Sequence, residues 1–111
     1  MIEIIIKNYL DEKLGVPVNL EVPENPPERF IVFEKTSSNK ENYLKSATFA
    51  FQSYAESMYQ AAHLNEQLKE AVEQMIELDR IAKIKLNSDY NFTDTTTKKY
   101  RYQAVYDIYH Y

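Results

Sequence analysis

Between Met58 and Leu78 the hydrophobic positions Met58, Ala61, Leu64, Leu68, Ala71, Met75 and Leu78 recur at steps of three and four, which stacks them on one side of an α-helix. Val72 and Ile76 widen the stripe, while Glu56, Gln60, His63, Gln67, Glu70, Gln74 and Glu77 fill the opposite side. One flank therefore meets water and the other meets a sheet or a second helix. Ser53-Tyr54-Ala55-Glu56 has the form of a capping box and places the helix start near Ser53. From there to Leu78 the helix would be about 36 Å long at about 1.5 Å per residue. The stretch Tyr43–Leu78, strand then helix, is the organising segment of the chain.

Ile2, Ile5, Ile6, Tyr9 and Leu10 are also spaced for one helical face, which predicts a first helix over residues 2–14. Gly15, the single glycine, fits a left-handed C-terminal cap with Pro17 beyond it. Val18, Leu20 and Val22 alternate with Pro17, Asn19 and Glu21, so residues 16–22 are expected as a strand, with Pro17 marking an edge. Pro23, Pro26 and Pro27 make a stiff connection. The continuous run Phe30-Ile31-Val32-Phe33 predicts a strand over 29–35, covered on both faces and near the middle of the sheet.

Thr36–Asn42 is a polar tract and is expected as a mobile loop. Alternation resumes at Tyr43, with Ala47, Phe49 and Phe51 on one face and Ser46, Thr48 and Gln52 on the other. Beyond the long helix, Ile84, Leu86, Ser88, Tyr90 and Phe92 alternate with Lys83, Lys85, Asn87, Asp89 and Asn91, a fourth strand. After an exposed loop, Thr93–Lys99, a fifth strand alternates Tyr100, Tyr102, Ala104, Tyr106 and Ile108 with Arg101, Gln103, Val105, Asp107 and Tyr109. The order α-β-β-β-α-β-β implies the α+β class, a mostly antiparallel five-stranded sheet packed against one long and one shorter helix.

At 111 residues, 44% hydrophobic, the chain suffices for one domain, 1–111, with a real core. There is no cysteine, which removes disulfides, thiolate ligands and thiol nucleophiles. No apolar run, Ile4-Ile5-Ile6 and Phe30–Phe33 included, is nearly long enough to cross a bilayer, so a soluble protein with no membrane partner is expected. A net charge of −4 and a pI near 5.2 argue against a large phosphate-neutralising term in binding. Lys98, Lys99 and Arg101 form the one tight basic group in the sequence and read as a solvated turn. Ten tyrosines against one glycine suit strands and contact surfaces.

Candidate chemistry is sparse. His63 lies on the polar side of the long helix, and His110 lies far from it in the sequence, with no nucleophile or metal spacing around either. Asp89 and Asp94 lack a third carboxylate at calcium-loop spacing and read as a strand end and a turn former. One glycine rules out a glycine-rich phosphate loop. The aromatic strand Tyr100–Tyr109 beside Lys98, Lys99 and Arg101 would give a stacking platform for single-stranded nucleic acid if its rings were exposed. No catalytic, cofactor-binding or metal-binding residue is assigned.

The segment Phe49-Ala50-Phe51-Gln52-Ser53-Tyr54-Ala55-Glu56-Ser57, running into Ala61-Ala62-His63-Leu64, resembles the strand-to-helix core of small tail terminator proteins of long-tailed bacteriophages and prophages, including minor capsid and tail completion proteins. Val16-Pro17-Val18, Phe30-Ile31-Val32-Phe33, and Tyr90–Asp94 leading to Tyr100–Tyr106 stand where that family has its other strands. The resemblance implies a non-enzymatic protein of the virion tail or neck, assembled in the host cytoplasm as a hexameric ring from subunits that can be monomeric when free. Such a ring ends tail elongation and joins the head, with the major tail tube protein and a head-completion protein as partners and no sequence-specific nucleic acid. A neighbouring neck or adaptor component is the alternative it leaves open. Candidate subunit or tube contacts are Thr36, Ser37, Asn39, Lys40, Thr95, Thr96, Lys98, Lys99, Arg101 and Tyr109. Both polar loops are expected to order on assembly.

Overall fold

A computed structural model describes residues 1–41 and 44–111. Asn42 and Tyr43, the end of the expected loop and the start of the expected third strand, lie outside the described residues. The elements are α1 (Ile2–Leu14), β1 (Val18–Asn19), β2 (Phe30–Glu41), β3 (Leu44–Ala55), α2 (Met58–Gln74) with a 3₁₀ turn over Met75–Glu77, β4 (Ile81–Asn91) and β5 (Tyr100–His110). They form the α+β arrangement expected from the sequence. The five-stranded sheet has the spatial order β1-β2-β3-β5-β4 and is antiparallel except where β1 runs parallel to β2.

Both helices lie on one face of this sheet. Ile31 and Phe33 of β2, Ala47, Phe49 and Phe51 of β3, and Ala104, Tyr106 and Ile108 of β5 meet Ile6 and Leu10 of α1 and Leu64, Leu68 and Val72 of α2 in one buried cluster. The alternation in β3 and β5 delivers these side chains to the same side because the register sets Phe51 opposite Ala104 and Phe49 opposite Tyr106. Gly15 adopts φ 67° and closes α1 in the left-handed region, as its position predicts.

Several expectations are corrected. The helix does not start at Ser53, which is buried in β3, but at Ser57, whose hydroxyl accepts the Gln60 N–H at 3.1 Å. Ser57-Met58-Tyr59-Gln60 carries the same capping pattern one turn later, and strand pairing, which keeps Tyr54 and Ala55 in the ladder, decides between the two. Nor does the helix run to Leu78. It tightens at Met75, and Leu78 is extended at φ −76°, ψ 138°, so Ile76 turns outward and is 50% exposed. α2 itself is 17 residues, about 25 Å.

The strand expected over 16–22 shortens to Val18–Asn19, with Leu20 and Val22 exposed, although it does take the edge that Pro17 implies. β2 is covered on both faces over Phe30–Phe33 but is second from the edge rather than central. Thr36–Glu41 is strand, not loop: Ser37 to Glu41 pair with Thr48 to Leu44 beyond a register shift at Thr36. The hairpin projects past the core, where polar side chains suit both faces and the ladder holds the backbone. In β4 a register shift between Leu86 and Ser88 changes the facing of everything after it. Leu86 and Asp89 therefore both face α2, while Tyr90 points to the opposite side.

Candidate functional site

The sheet face opposite the helices carries a side-chain network that ties four strands together. Phe30 and Tyr54, paired across β2 and β3, stack with centroids 4.5 Å apart and planes 7° from parallel. The Tyr54 hydroxyl donates to Gln52 Oε1 at 3.3 Å and accepts from Arg101 Nη1 at 2.9 Å. Gln52 Nε2 donates to Gln103 Oε1 at 2.8 Å, and Gln103 Nε2 donates in turn to the Tyr90 hydroxyl. The chain of bonds thus runs from β3 through β5 to β4, with Phe30 of β2 stacked on its first ring.

Arg101 is the clamp of this arrangement. Its Nε donates to the Phe92 carbonyl at 2.7 Å, and the guanidinium lies 4.4 Å from the Phe92 ring centroid and 5.6 Å from that of Tyr54. A planar, weakly hydrated cation between two rings is held by both its donors and its face. Phe92 and Tyr90 then meet edge to face at 5.9 Å. Gln103 is only 9% exposed, yet its amide is bonded on both sides, so burial costs it little. Nearer the hairpin end, Asp107 accepts from Thr48 at 2.7 Å and Asn87 at 3.3 Å. The result is a bonded layer of rings and amides in which Phe30, Tyr54 and Gln103 are themselves buried, and Tyr90 and Phe92, 42% and 38% exposed, are the rings it presents to solvent.

Beside it opens a cleft of about 430 Å³, floored by Phe30, Tyr54 and Tyr100 and rimmed by Lys98, Lys99 and Pro26. The rim is ordered by Asp94, whose carboxylate accepts from the Thr96 and Thr97 N–H groups at 3.0 and 3.4 Å and is held below the usual carboxylate range, with the Thr97 hydrogen bonds as the largest cause. Lys98 pays for the turn's tightness with a left-handed φ of 55°. The expected loop Thr93–Lys99 is therefore a defined turn with an Asp94–Lys99 bridge.

The sequence-derived contact residues separate into two groups. Thr95, Thr96, Lys98, Lys99 and Arg101 lie at the turn end, and Thr36, Ser37, Asn39, Lys40 and Tyr109 at the hairpin end, on a molecule 44 Å long. Asn39, Ser46, Tyr109 and Lys83 share one cross-strand row, with the Lys83 ammonium 5.5 Å from the Tyr109 ring centroid. The stacking strand imagined along β5 is not exposed: Tyr106 is fully buried and Tyr100 and Tyr102 are partly covered. Phe30, Gln52, Tyr54, Tyr90, Phe92 and Gln103 were not singled out from the sequence. Their signal was there in Gln52 and Gln103, amides on the outward positions of two strands otherwise rich in rings.

A second polar cluster lies under α2. Asn65, 1% exposed, donates to Asp89 Oδ1 at 2.7 Å, and Lys69 reaches Asp89 at 2.5 Å and Glu66 at 2.9 Å. Those carboxylates, Asp89 first, raise the Lys69 pKa. Asp89 thus lies near the end of β4, as expected, and is pinned to the helix as well. His63 is exposed and stacked on Tyr59 at 6.3 Å, whereas His110, only 9% exposed, is held below its ordinary pKa chiefly by burial. Among the described residues no group of three or more His, Asp or Glu converges as a metal-ligand set. No protein-family model matches the chain, and no curated protein matches it.

Proposed function

We propose that this chain is a structural assembly subunit of a long-tailed phage or prophage, one that caps the tail tube as a ring, ends tail elongation and offers the surface to which the head joins. The observation that carries the proposal is the outer sheet face, which neither helix covers and where the exposed Tyr90 and Phe92 are held over the buried Phe30 and Tyr54 by the Tyr54–Gln52–Gln103–Tyr90 chain of bonds. A pre-ordered face of rings and amides loses little freedom on docking, which favours repeated contact with identical neighbours. The resemblance of Phe49–Leu64 and its flanking strands to tail terminator proteins supplies the biological setting. The partners are further copies of the chain, the tail tube protein and a head-completion protein.

The sheet edges favour contact through faces and ends over strand addition. β4 is a long free edge, but it carries register shifts after Ile81 and Leu86 together with Lys83 and Lys85, features that discourage edge-to-edge pairing. Complementation tests the assignment. Phage lacking this protein should make tails of abnormal length that fail to join heads, restored by the wild-type chain. Normal-length tails that remain unjoined would move the protein to a neighbouring neck position, and normal joined tails would end the assembly reading.

A further inference from the structure

At the hairpin end, on the helix side of the sheet, the register sets Lys40 directly opposite Lys45, and Lys45 directly opposite His110. Directly opposed strand positions have Cβ atoms about 5 Å apart, and like charges there repel. Lys40 and Lys45 are exposed, so the repulsion is softened by water, and an anion over the row would relieve it. Lys35 lies on the same side, and all four residues line one cleft of about 660 Å³. Glu3 also enters this cleft; its Oε2 is 3.3 Å from the Lys35 ammonium, while its Oε1 is buried with no hydrogen-bond partner among the described residues. No ion pair among the described residues involves Lys40 or Lys45.

Two further features point the same way. His110 is only 9% exposed, and its one hydrogen-bonding contact among the described residues is Nδ1 at 3.3 Å from the Tyr111 carbonyl, so Nε2 is uncommitted. α1 begins at the cleft, with Ile2 and Glu3 among the lining residues and no side-chain cap on its first turn. Its leading N–H groups and the positive end of the helix dipole add to the same potential. All this occurs in a chain whose net charge is −4.

We propose that this cleft binds a phosphate group, with Lys40 and Lys45 as paired cationic ligands, His110 donating from Nε2 in the imidazolium form that a bound anion favours, and the first-turn amides of α1 as neutral donors. Donors arriving from a sheet and from a helix suit an anion with acceptor oxygens in several directions better than a two-oxygen carboxylate. The phosphate can come from a nucleic-acid backbone or from a small phosphorylated molecule. The site stands apart from the outer face and does not depend on the assembly role.

The test titrates the intact chain with inorganic phosphate and, separately, with a short mixed-sequence DNA duplex at low salt, following backbone amide and imidazole resonances. Phosphate should move the signals of Ile2, Glu3, Lys40, Lys45 and His110 ahead of those of Thr95–Lys99, and Lys40→Gln/Lys45→Gln should lose affinity about tenfold or more. In phosphate-free buffer that double variant should melt no lower than the wild type, since the opposed cations are gone, and it should lose the phosphate-induced rise in melting temperature. Lys45→Gln alone gives the same comparison if the double variant does not fold. Duplex binding at these residues, with a logarithmic salt slope of about −0.9 per contact, identifies a backbone phosphate; phosphate binding without it identifies a small phosphorylated ligand. Absence of shifts with both probes, an unchanged affinity in the variants, or an equal response to glutamate at matched ionic strength would overturn the proposal.

Discussion

The Tyr106 hydroxyl donates to Glu73 Oε2 at 2.6 Å, tying the middle of β5 to the solvent side of α2. The ring itself is fully buried and meets Phe51 edge to face at 6.2 Å. Packing and hydrogen bonding can therefore be separated at one position. Tyr106→Phe removes the bond but leaves no buried acceptor unpaired, because Glu73 is exposed and water can replace the hydroxyl; the cost should be about 1 kcal/mol. Tyr106→Ala also empties the ring's volume and should cost about 3–5 kcal/mol. Urea unfolding of both variants checks the ratio, and equal losses would contradict it.

The same tyrosine and Tyr9 make the fold sensitive to alkali. Burial, followed by the hydrogen bond to Glu77, pushes the Tyr9 phenol up to about 12. Burial and then Glu73 raise Tyr106 further. In the unfolded chain both ionise near about 10, so above that pH the unfolded state holds fewer protons than the folded one. Their contribution is fully present below about pH 10 and is lost as pH rises toward the folded values. The denaturation midpoint should fall across this window, and Tyr9→Phe/Tyr106→Phe should flatten the fall. An unchanged slope in that double variant would assign the alkaline loss to other groups.

How much of this was legible in the sequence follows from where each residue finds its neighbours. The faces of α1 and α2 were readable because Ile6, Leu10, Leu64, Leu68 and Ala71 are buried from one side only, and a one-sided environment imprints its period on the chain. β5 was readable for the same reason. The register shift at Asn87 was not, because it is set by the partner strand, and it alone sends Asp89 to α2 and Tyr90 to the outer face. Ser37–Lys40 looked like a loop because its side chains are polar and exposed on both faces, so no burial imprints a period there. Lys98, Lys99 and Arg101 showed as a basic group since they are neighbours in sequence; Lys35, Lys40, Lys45 and His110 become neighbours only through the sheet.

The core side of α2 gives a direct contrast between adjacent residues. Leu68 is fully buried against the sheet, and Gln67 is exposed. Leu68→Asp places an unpaired charge in the core and should unfold the domain, a loss above about 4 kcal/mol. Gln67→Asp should change stability by no more than about 0.5 kcal/mol. Far-ultraviolet circular dichroism against temperature distinguishes them, and a folded Leu68→Asp protein would be incompatible with this packing.

Arg29 and Glu56 join the start of β2 to the end of β3, with Arg29 donating to Glu56 from Nε at 2.9 Å and from Nη2 at 2.7 Å. These hydrogen bonds are the largest cause of a Glu56 carboxyl held down at about 2. A depressed folded pKa stabilises above the ordinary glutamate value and loses that contribution as pH falls through the folded one. The window therefore runs from about 4.3 down to about 2. Carbon-detected titration should place the Glu56 midpoint near the lower limit in the wild type and near the upper one in Arg29→Gln. A wild-type midpoint already in the ordinary range would mean the pair does not persist in solution.

Ser53 and Ser57 present one capping pattern each, and the structure uses only the second. Ser57 Oγ accepts the Gln60 N–H, and its carbonyl accepts that of Ala61 at 2.9 Å, so two donors of the first turn are satisfied there. Ser53 is fully buried in β3, and its Oγ finds no partner among the described residues. Ser57→Ala should cost about 1 kcal/mol through the exposed first turn of α2. Ser53→Ala should cost nothing measurable or stabilise slightly, because it removes a buried hydroxyl that makes no bond. Amide exchange makes the distinction local: Gln60 and Ala61 should lose protection in the Ser57 variant and keep it in the Ser53 variant. The reverse result would put the helix start back at Ser53 and shorten β3 by the residues that carry Tyr54 onto the outer face.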